Sequence, residues 1–272
     1  MYKLIALDMD GTLLNSKKNI SNSNLTAIKN AKKIGSKVVL ATGRPLKGIK
    51  KYLKELDLIN TEDYCVVFNG AVVQNVKTEE ILCKKLLTIN DVKNIYDISK
   101  DLNIHLHLLT LDSCITPKIG KYTQLESDLN HIPLQIKDFN KLDKNLEVVK
   151  VIFADEPDTI TKSIEKLPKE LFKKFTIVRS APYFLEFLNK DVNKGTGVQL
   201  LAKNLHIPKH NIICVGDAGN DIHMIKYAGL GVAMGNAFPE VKNIADYITL
   251  TNDNDGVAHV INKFILNNET AV

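Results

Sequence analysis

Several short apolar runs in this chain are each closed by a turn of Gly, Asp, Asn or Thr and then followed by a helical pattern. They cover residues 4–7, 37–41, 65–68, 212–215, 231–233 and 247–250. Between the first two, residues 23–34 set Leu25, Ile28, Ala31 and Ile34 on one face at helical spacing. After the second, residues 46–56 do the same with Ile49, Leu53 and Leu56. A strand without polar alternation is covered on both faces, so this rhythm predicts an α/β fold, a doubly wound parallel sheet with helices on either side. Ligands of such sheets collect beyond the carboxyl ends of the strands. Those are the places where this sequence sets its unusual polar residues.

Residues 84–190 break the rhythm. A helical stretch over 89–102 leads into 104–110, where His105 and His107 alternate with Leu106 and Leu108. Residues 147–153 and 175–179 read as further strands, and 163–172 as a helix interrupted near Pro168. Apolar–polar alternation predicts an antiparallel sheet with one side open. The expected organisation is therefore a core domain made of residues 1–84 and 190–272, with a second α/β domain inserted as residues 85–189. A length of 272 residues suits two such domains.

Composition excludes more than it identifies. Apolar residues are 44% of the chain and charged ones 25%, an ordinary globular balance. The formal net charge of +5 is spread out as lysines, without the dense basic and aromatic block that nucleic-acid binding would need. It is compatible with an anionic substrate. Cys65, Cys83, Cys114 and Cys214 form no CxxC pair, and two lie in apolar runs, which predicts reduced, buried thiols. The opening MYKLIALDMD is too short and too acidic for a signal peptide, and no run reaches the roughly 18 apolar residues of a membrane span. The expectation is a cytoplasmic protein with no membrane or nucleic-acid partner.

Four segments carry chemistry. The first run ends in Asp8-Met9-Asp10-Gly11-Thr12, two carboxylates at a buried strand end that would be costly without compensation. Gly11 permits an abrupt change of direction and Thr12 can stabilise the turn that follows. The second run ends in Ala41-Thr42-Gly43-Arg44-Pro45, a hydroxyl and backbone N–H groups at a helix start, which could cradle a phosphate or simply cap the helix. Lys194-Gly195-Thr196-Gly197 opens another amphipathic helix, and a lysine there is usually solvated. Finally Gly216-Asp217-Ala218-Gly219-Asn220-Asp221 brings three metal-capable side chains into one glycine-loosened loop.

In this order the four segments resemble the signature motifs of the haloacid dehalogenase superfamily. More narrowly, DMDGTLL, ATGRP, FNGA at residues 68–71, VNKGTG at 192–197 and GDAGNDIHMI look like its Cof-type branch of sugar-phosphate phosphatases. Ala218 stands where that branch usually has a polar residue. The resemblance covers nearly the whole chain and implies a Rossmann-like core with an α/β cap in the inserted position. It further implies Asp8 as nucleophile and Asp10 as general acid and base. Met9, Thr42, Gly43, Lys194 and Asn220 would contact substrate phosphate. Mg²⁺ would be held by Asp8, Asp10 through its carbonyl, Asp217, and Asp221 directly or through water. The implied partner is a small phosphorylated metabolite, and the implied reaction is hydrolysis of its phosphate ester.

Rival readings share parts of this set. A phosphomutase would use Asp8 and Asp10 but return the phosphoryl group to substrate. A dehalogenase would need neither the acid at Asp10 nor the metal cluster. A phosphoacceptor signalling module would need no large insertion. Weaker candidates are Arg44, Arg179 and Tyr183 as substrate contacts, Asn69-Gly70 as a turn or leaving-group contact, and His105 with His107 as a metal pair or an open sheet face.

Overall fold

The computed structural model describes residues 2–266 and divides into two compact units. One comprises Met1–Thr42, Lys50–Cys83 and Asn193–Val272, and the other Gly43–Ile49 with Lys84–Val192.

The first unit is built on an eight-stranded sheet. From edge to edge its order is Tyr247–Ile248, Leu230–Ala233, Ile212–Gly216, Leu4–Leu7, Lys37–Ala41, Tyr64–Val67, Val72–Asn75 and Ile81–Lys84. The first six run parallel. Strand Leu4–Leu7 is central and wholly buried, with Leu4 paired to Ile212 and Lys37 on its two sides. The sheet order therefore brings the ends of Leu4–Leu7, Lys37–Ala41 and Ile212–Gly216 side by side, and these carry three of the four segments singled out above.

Two details differ from the periodicity. Val72–Asn75 pairs antiparallel with Tyr64–Val67, because Asn69-Gly70 turns the chain straight back on itself. Helix Asn22–Lys33 buries Asn24, Ala27, Ile28 and Ala31, while Ile34 is left exposed. Asn24 can face inward because its Oδ1 accepts from the Ala258 N–H at 2.8 Å.

The second unit holds a six-stranded sheet in the order Phe175–Ala181, Phe184–Asn189, Lys150–Ala154, Leu106–Leu109, Cys114–Thr116, Leu134–Ile136. Its pairs are antiparallel except the last, whose strands are joined through helix Lys121–Asn130. One face packs Leu106, Leu108, Val151, Phe153, Leu185 and Phe187 into an apolar core. Pro168 separates helix Pro157–Lys166 from helix Lys169–Lys174.

The other sheet face is not open. His107 has no exposed surface, and Lys150 and Glu186 are almost as buried. Helix Lys121–Asn130 has a polar buried face of Thr123, Glu126, Ser127 and Asn130, which hides that helix from any search for apolar periodicity. His107 Nδ1 lies 3.3 Å from Thr123 Oγ1, and Lys150 Nζ 3.9 Å from a Glu126 oxygen. His105 is exposed and His107 buried, so the two histidines occupy different environments.

Candidate active site

Asp8 follows the central strand, its N–H donating to the Val215 carbonyl at 3.0 Å. Parallel pairing thus sets Asp8 next to the loop that carries Asp217 and Asp221. Gly11 then turns with φ +88°, and a Cβ there would fall 2.4 Å from an Asp217 carboxylate oxygen. Glycine at this position serves both the turn and the close approach. The hydroxyl of Thr12 donates to Asp217 Oδ1 at 2.8 Å, so this threonine reaches across the sheet instead of stabilising its own turn.

Lys194 is the first residue of helix Lys194–Asn204. Asn193 caps that helix reciprocally with Thr196, each side chain accepting from the other's backbone N–H. This fixes a wholly buried lysine whose Nζ donates to Asp8 Oδ1 at 2.5 Å and to Asp221 Oδ1 at 2.7 Å. The other Asp221 oxygen accepts from the backbone N–H groups of Asp217 and Ala218, both at 3.0 Å. Both oxygens of Asp221 are therefore held by protein donors, which makes it the organiser of the loop.

Three carboxylates face one ammonium here. Burial, then the neighbouring Asp221, push the Asp8 carboxyl well above the usual range, against the pull of Lys194. Burial also raises Asp217, to about 6, although the Thr12 hydroxyl works the other way. Burial opposes the charge on Lys194, but Asp221 and Asp8 outweigh it and hold its pKa above the ordinary lysine value. With all groups ionised the cluster carries two uncompensated negative charges. Ligand atoms of Asp8, Asp217 and Asp221 lie within 4.8 Å of one another. A buried, oxygen-only donor set with excess negative charge fits a hard divalent cation.

The remaining predicted residues lie as follows. Met9 is buried beside Asp8. Asp10 is half-exposed, its Oδ1 accepting from Lys18 Nζ at 2.8 Å. Thr42 is buried, with its N–H donating to the Val66 carbonyl at 2.9 Å and its own carbonyl accepting from the Asn69 N–H at 2.8 Å. Asn220 Nδ2 donates to Asn69 Oδ1 at 3.0 Å. Gly43 groups with the second unit, where its carbonyl is 3.5 Å from Lys150 Nζ.

Periodicity and spacing missed three partners: Thr12 for Asp217, Lys18 for Asp10, and Asn69 for Asn220. Asn69 carried a signal, since an Asn-Gly pair at a strand end is unusual beside a parallel sheet. Of the weaker candidates, Arg179 donates to the Pro157 and Pro182 carbonyls and to Thr161 Oγ1. Tyr183 stacks on Tyr122 with ring centroids 4.8 Å apart.

A parallel sheet with carboxylates converging at its strand ends, and a lysine delivered from a helix start, defines a class of hydrolase that comparison makes specific. The profile of the haloacid dehalogenase-like hydrolases matches residues 5–261, and the chain belongs to that family. It is 41% identical to YxeH of Bacillus subtilis (strain 168), over 98% of this chain and 99% of that one. It is 34% identical to the 5-amino-6-(5-phospho-D-ribitylamino)uracil phosphatase YcsE of the same organism, over 97% and 96%. Among solved structures, a haloacid dehalogenase-like hydrolase from Bacteroides thetaiotaomicron superposes with a TM-score of 0.86 at 35% identity, covering 97% of this chain and 99% of that one. The subclass IIB sugar phosphatase BT4131 does so with a TM-score of 0.81 at 26% identity, covering 96% and 98%. The chain is an enzyme, a phosphoric monoester hydrolase of the Cof-type branch. Among the described residues no helix is long and apolar enough to cross a membrane.

Proposed function

We propose that this enzyme hydrolyses small phosphorylated metabolites, sugar phosphates foremost, with Mg²⁺ and through an aspartyl-phosphate on Asp8. The observation that carries the reading is the bridge of Lys194 between Asp8 and Asp221, with Asp217 alongside and negative charge left over. Two similar proteins, a sugar phosphatase and a phosphatase of a ribityl phosphate, act on phosphate esters of hydroxylated carbon chains, which supports that substrate class. Free, mostly buried cysteines suit a reducing cytoplasm.

Mg²⁺, held by the Asp8 and Asp217 carboxylates and the Asp10 carbonyl, supplies charge neutralisation for the transferring phosphoryl group. The Asp8 carboxylate attacks phosphorus in line, and the bond to the leaving oxygen breaks as Asp10 gives it a proton. Asp10 then takes a proton from water, which attacks the aspartyl-phosphate, releasing inorganic phosphate and restoring Asp8. For both steps the Asp10 carboxyl turns from Lys18 towards the reacting oxygens. Lys194 orients Asp8 and pulls it towards the carboxylate form against burial and Asp221, a pull that a bound cation would reinforce, while Thr42, the Met9 backbone and Asn220 donate to phosphoryl oxygens.

The test is phosphate release from a panel of phosphorylated metabolites, with Mg²⁺ and with chelator, beside two variants. Asp8→Asn should lose at least about 10⁴-fold in turnover, and Asp10→Asn roughly 10²–10⁴-fold. Near-normal turnover by Asp8→Asn would remove the nucleophile, and chelator-resistant activity would remove the metal.

A further inference from the structure

Asn69 touches two of the phosphate-binding positions at once. Its N–H donates to the Thr42 carbonyl, and its side-chain Oδ1 accepts from Asn220 Nδ2. Asn69 is buried, whereas Asn220 is only half-buried. The turn that presents it is strained: Phe68, Asn69 and Gly70 stand at φ +52°, +56° and +96° in succession. Asparagine visits this left-handed region more readily than most residues, but phenylalanine does not. Surroundings must hold such a turn in place. Part of that hold is the neighbouring chain, since a Cβ on Gly70 would fall 2.1 Å from the Asn193 carbonyl, just before Lys194.

A carboxamide has two unlike ends, a donating nitrogen and an accepting oxygen. An unrestrained Asn220 could turn its oxygen towards a phosphoryl group, where it would repel the phosphoryl oxygens. Asn69 Oδ1 accepts one of the two Nδ2 hydrogens and so decides which end lies on the Asn69 side. The second hydrogen on the same nitrogen stays available to donate.

We propose that Asn69 is a positioning residue that fixes the Asn220 amide with its nitrogen towards the phosphoryl group and registers it against Thr42. The proposal rests on the reading of Asn220 as a phosphoryl donor given above.

The test is a double-mutant cycle of Asn69→Gly and Asn220→Ala. Glycine tolerates the positive φ and deletes the side chain that carries the carboxamide. kcat/KM is measured with Mg²⁺ on p-nitrophenyl phosphate and acetyl phosphate, an aryl ester and an acyl phosphate with unlike leaving groups, and melting temperatures are recorded alongside. Asn69→Gly should lower kcat/KM about 10- to 100-fold, by the same factor on both substrates. Added to Asn220→Ala it should cost less than about twofold more. A merely structural role would lower the melting temperature and multiply the losses in the double variant. Multiplied losses, a factor that changes with the leaving group, or an Asn69→Gly enzyme within about twofold of wild type would overturn the positioning role while leaving the hydrolase reading intact. A fully active Asn220→Ala would overturn the positioning role together with the reading of Asn220 as a phosphoryl donor, and a wild type that releases no phosphate from either substrate would overturn the hydrolase reading as well.

Discussion

Each unit of this enzyme buries a lysine between two carboxylates, yet the two clusters are balanced differently. In the second unit Lys150 Nζ donates to Glu186 Oε1 at 2.8 Å and faces Glu126 at 3.9 Å, with Arg44 also acting on Glu126. Two positive charges meet two negative ones. Burial opposes the charge of Lys150, but Glu186 and Glu126 raise its pKa, and Lys150 joins burial in holding neutral His107 down at about 3. In the first unit Lys194 hydrogen-bonds both Asp8 and Asp221, and a third carboxylate, Asp217, lies with them. A balanced buried cluster needs nothing further, whereas an unbalanced one stores repulsion that a bound cation relieves. One carboxylate more and one cation fewer set the first cluster apart from the second.

The largest effect expected from breaking this symmetry is removal of either lysine. Lys194→Met and Lys150→Met should each cost about 3–5 kcal/mol, because buried carboxylates lose their partner. Mg²⁺ should raise the melting temperature of Lys150→Met as much as that of wild type, since the carboxylates proposed to hold the metal lie in the other unit. A Mg²⁺ response lost in Lys150→Met, followed by calorimetry, would show that the two clusters are not separable in this way.

The next effect concerns Asp217 and has a pH signature. Its carboxyl titrates at about 6 in the folded protein and at the usual 3.8 when unfolded. Between those values the folded chain keeps a proton that the unfolded chain has lost. The stability involved is whole below pH 3.8 and disappears as pH rises through about 6. In chelator, Asp217→Asn should therefore be more stable than wild type above pH 6, by on the order of 2–3 kcal/mol, with the gap closing towards pH 4. It should also lose the Mg²⁺ response. A gap that does not change between pH 4 and 7 would mean that the excess charge is not felt.

Gly70→Ala is expected to be milder, about 1–3 kcal/mol, from a strained φ and a clash with the Asn193 carbonyl. Because that carbonyl precedes Lys194, turnover should fall as well. Unchanged turnover in a folded Gly70→Ala protein would mean that the turn does not hold the lysine.

Much of the first cluster was legible in the sequence because chemistry there departs from periodicity. Asp8, Asp217 and Asp221 interrupt apolar strand ends where acids have no packing reason to be. Lys194 was legible only through family resemblance, since one lysine at a helix start is ordinary. The second cluster was not legible at all. Lys150 and Glu186 alternate with apolar residues as solvent-facing strand residues do, and Glu126 sits on a helix whose buried face is polar throughout. Hydrophobic patterning assumes that polar residues face water, and it fails where polar groups satisfy one another inside. The same blindness hid the contacts of Thr12 with Asp217 and of Asn69 with Asn220, which join residues far apart in sequence.

The central claim is that Asp8 receives the phosphoryl group within a cluster completed by a divalent cation. Acid quenching of the enzyme milliseconds after mixing with a turned-over phosphate ester, followed by peptide mass spectrometry, tests it directly. The account predicts one added phosphoryl group on the peptide carrying Asp8, labile to base, absent with chelator and absent in Asp8→Asn. A phosphoryl group trapped on another residue, or one that forms equally well in Asp8→Asn, would contradict it.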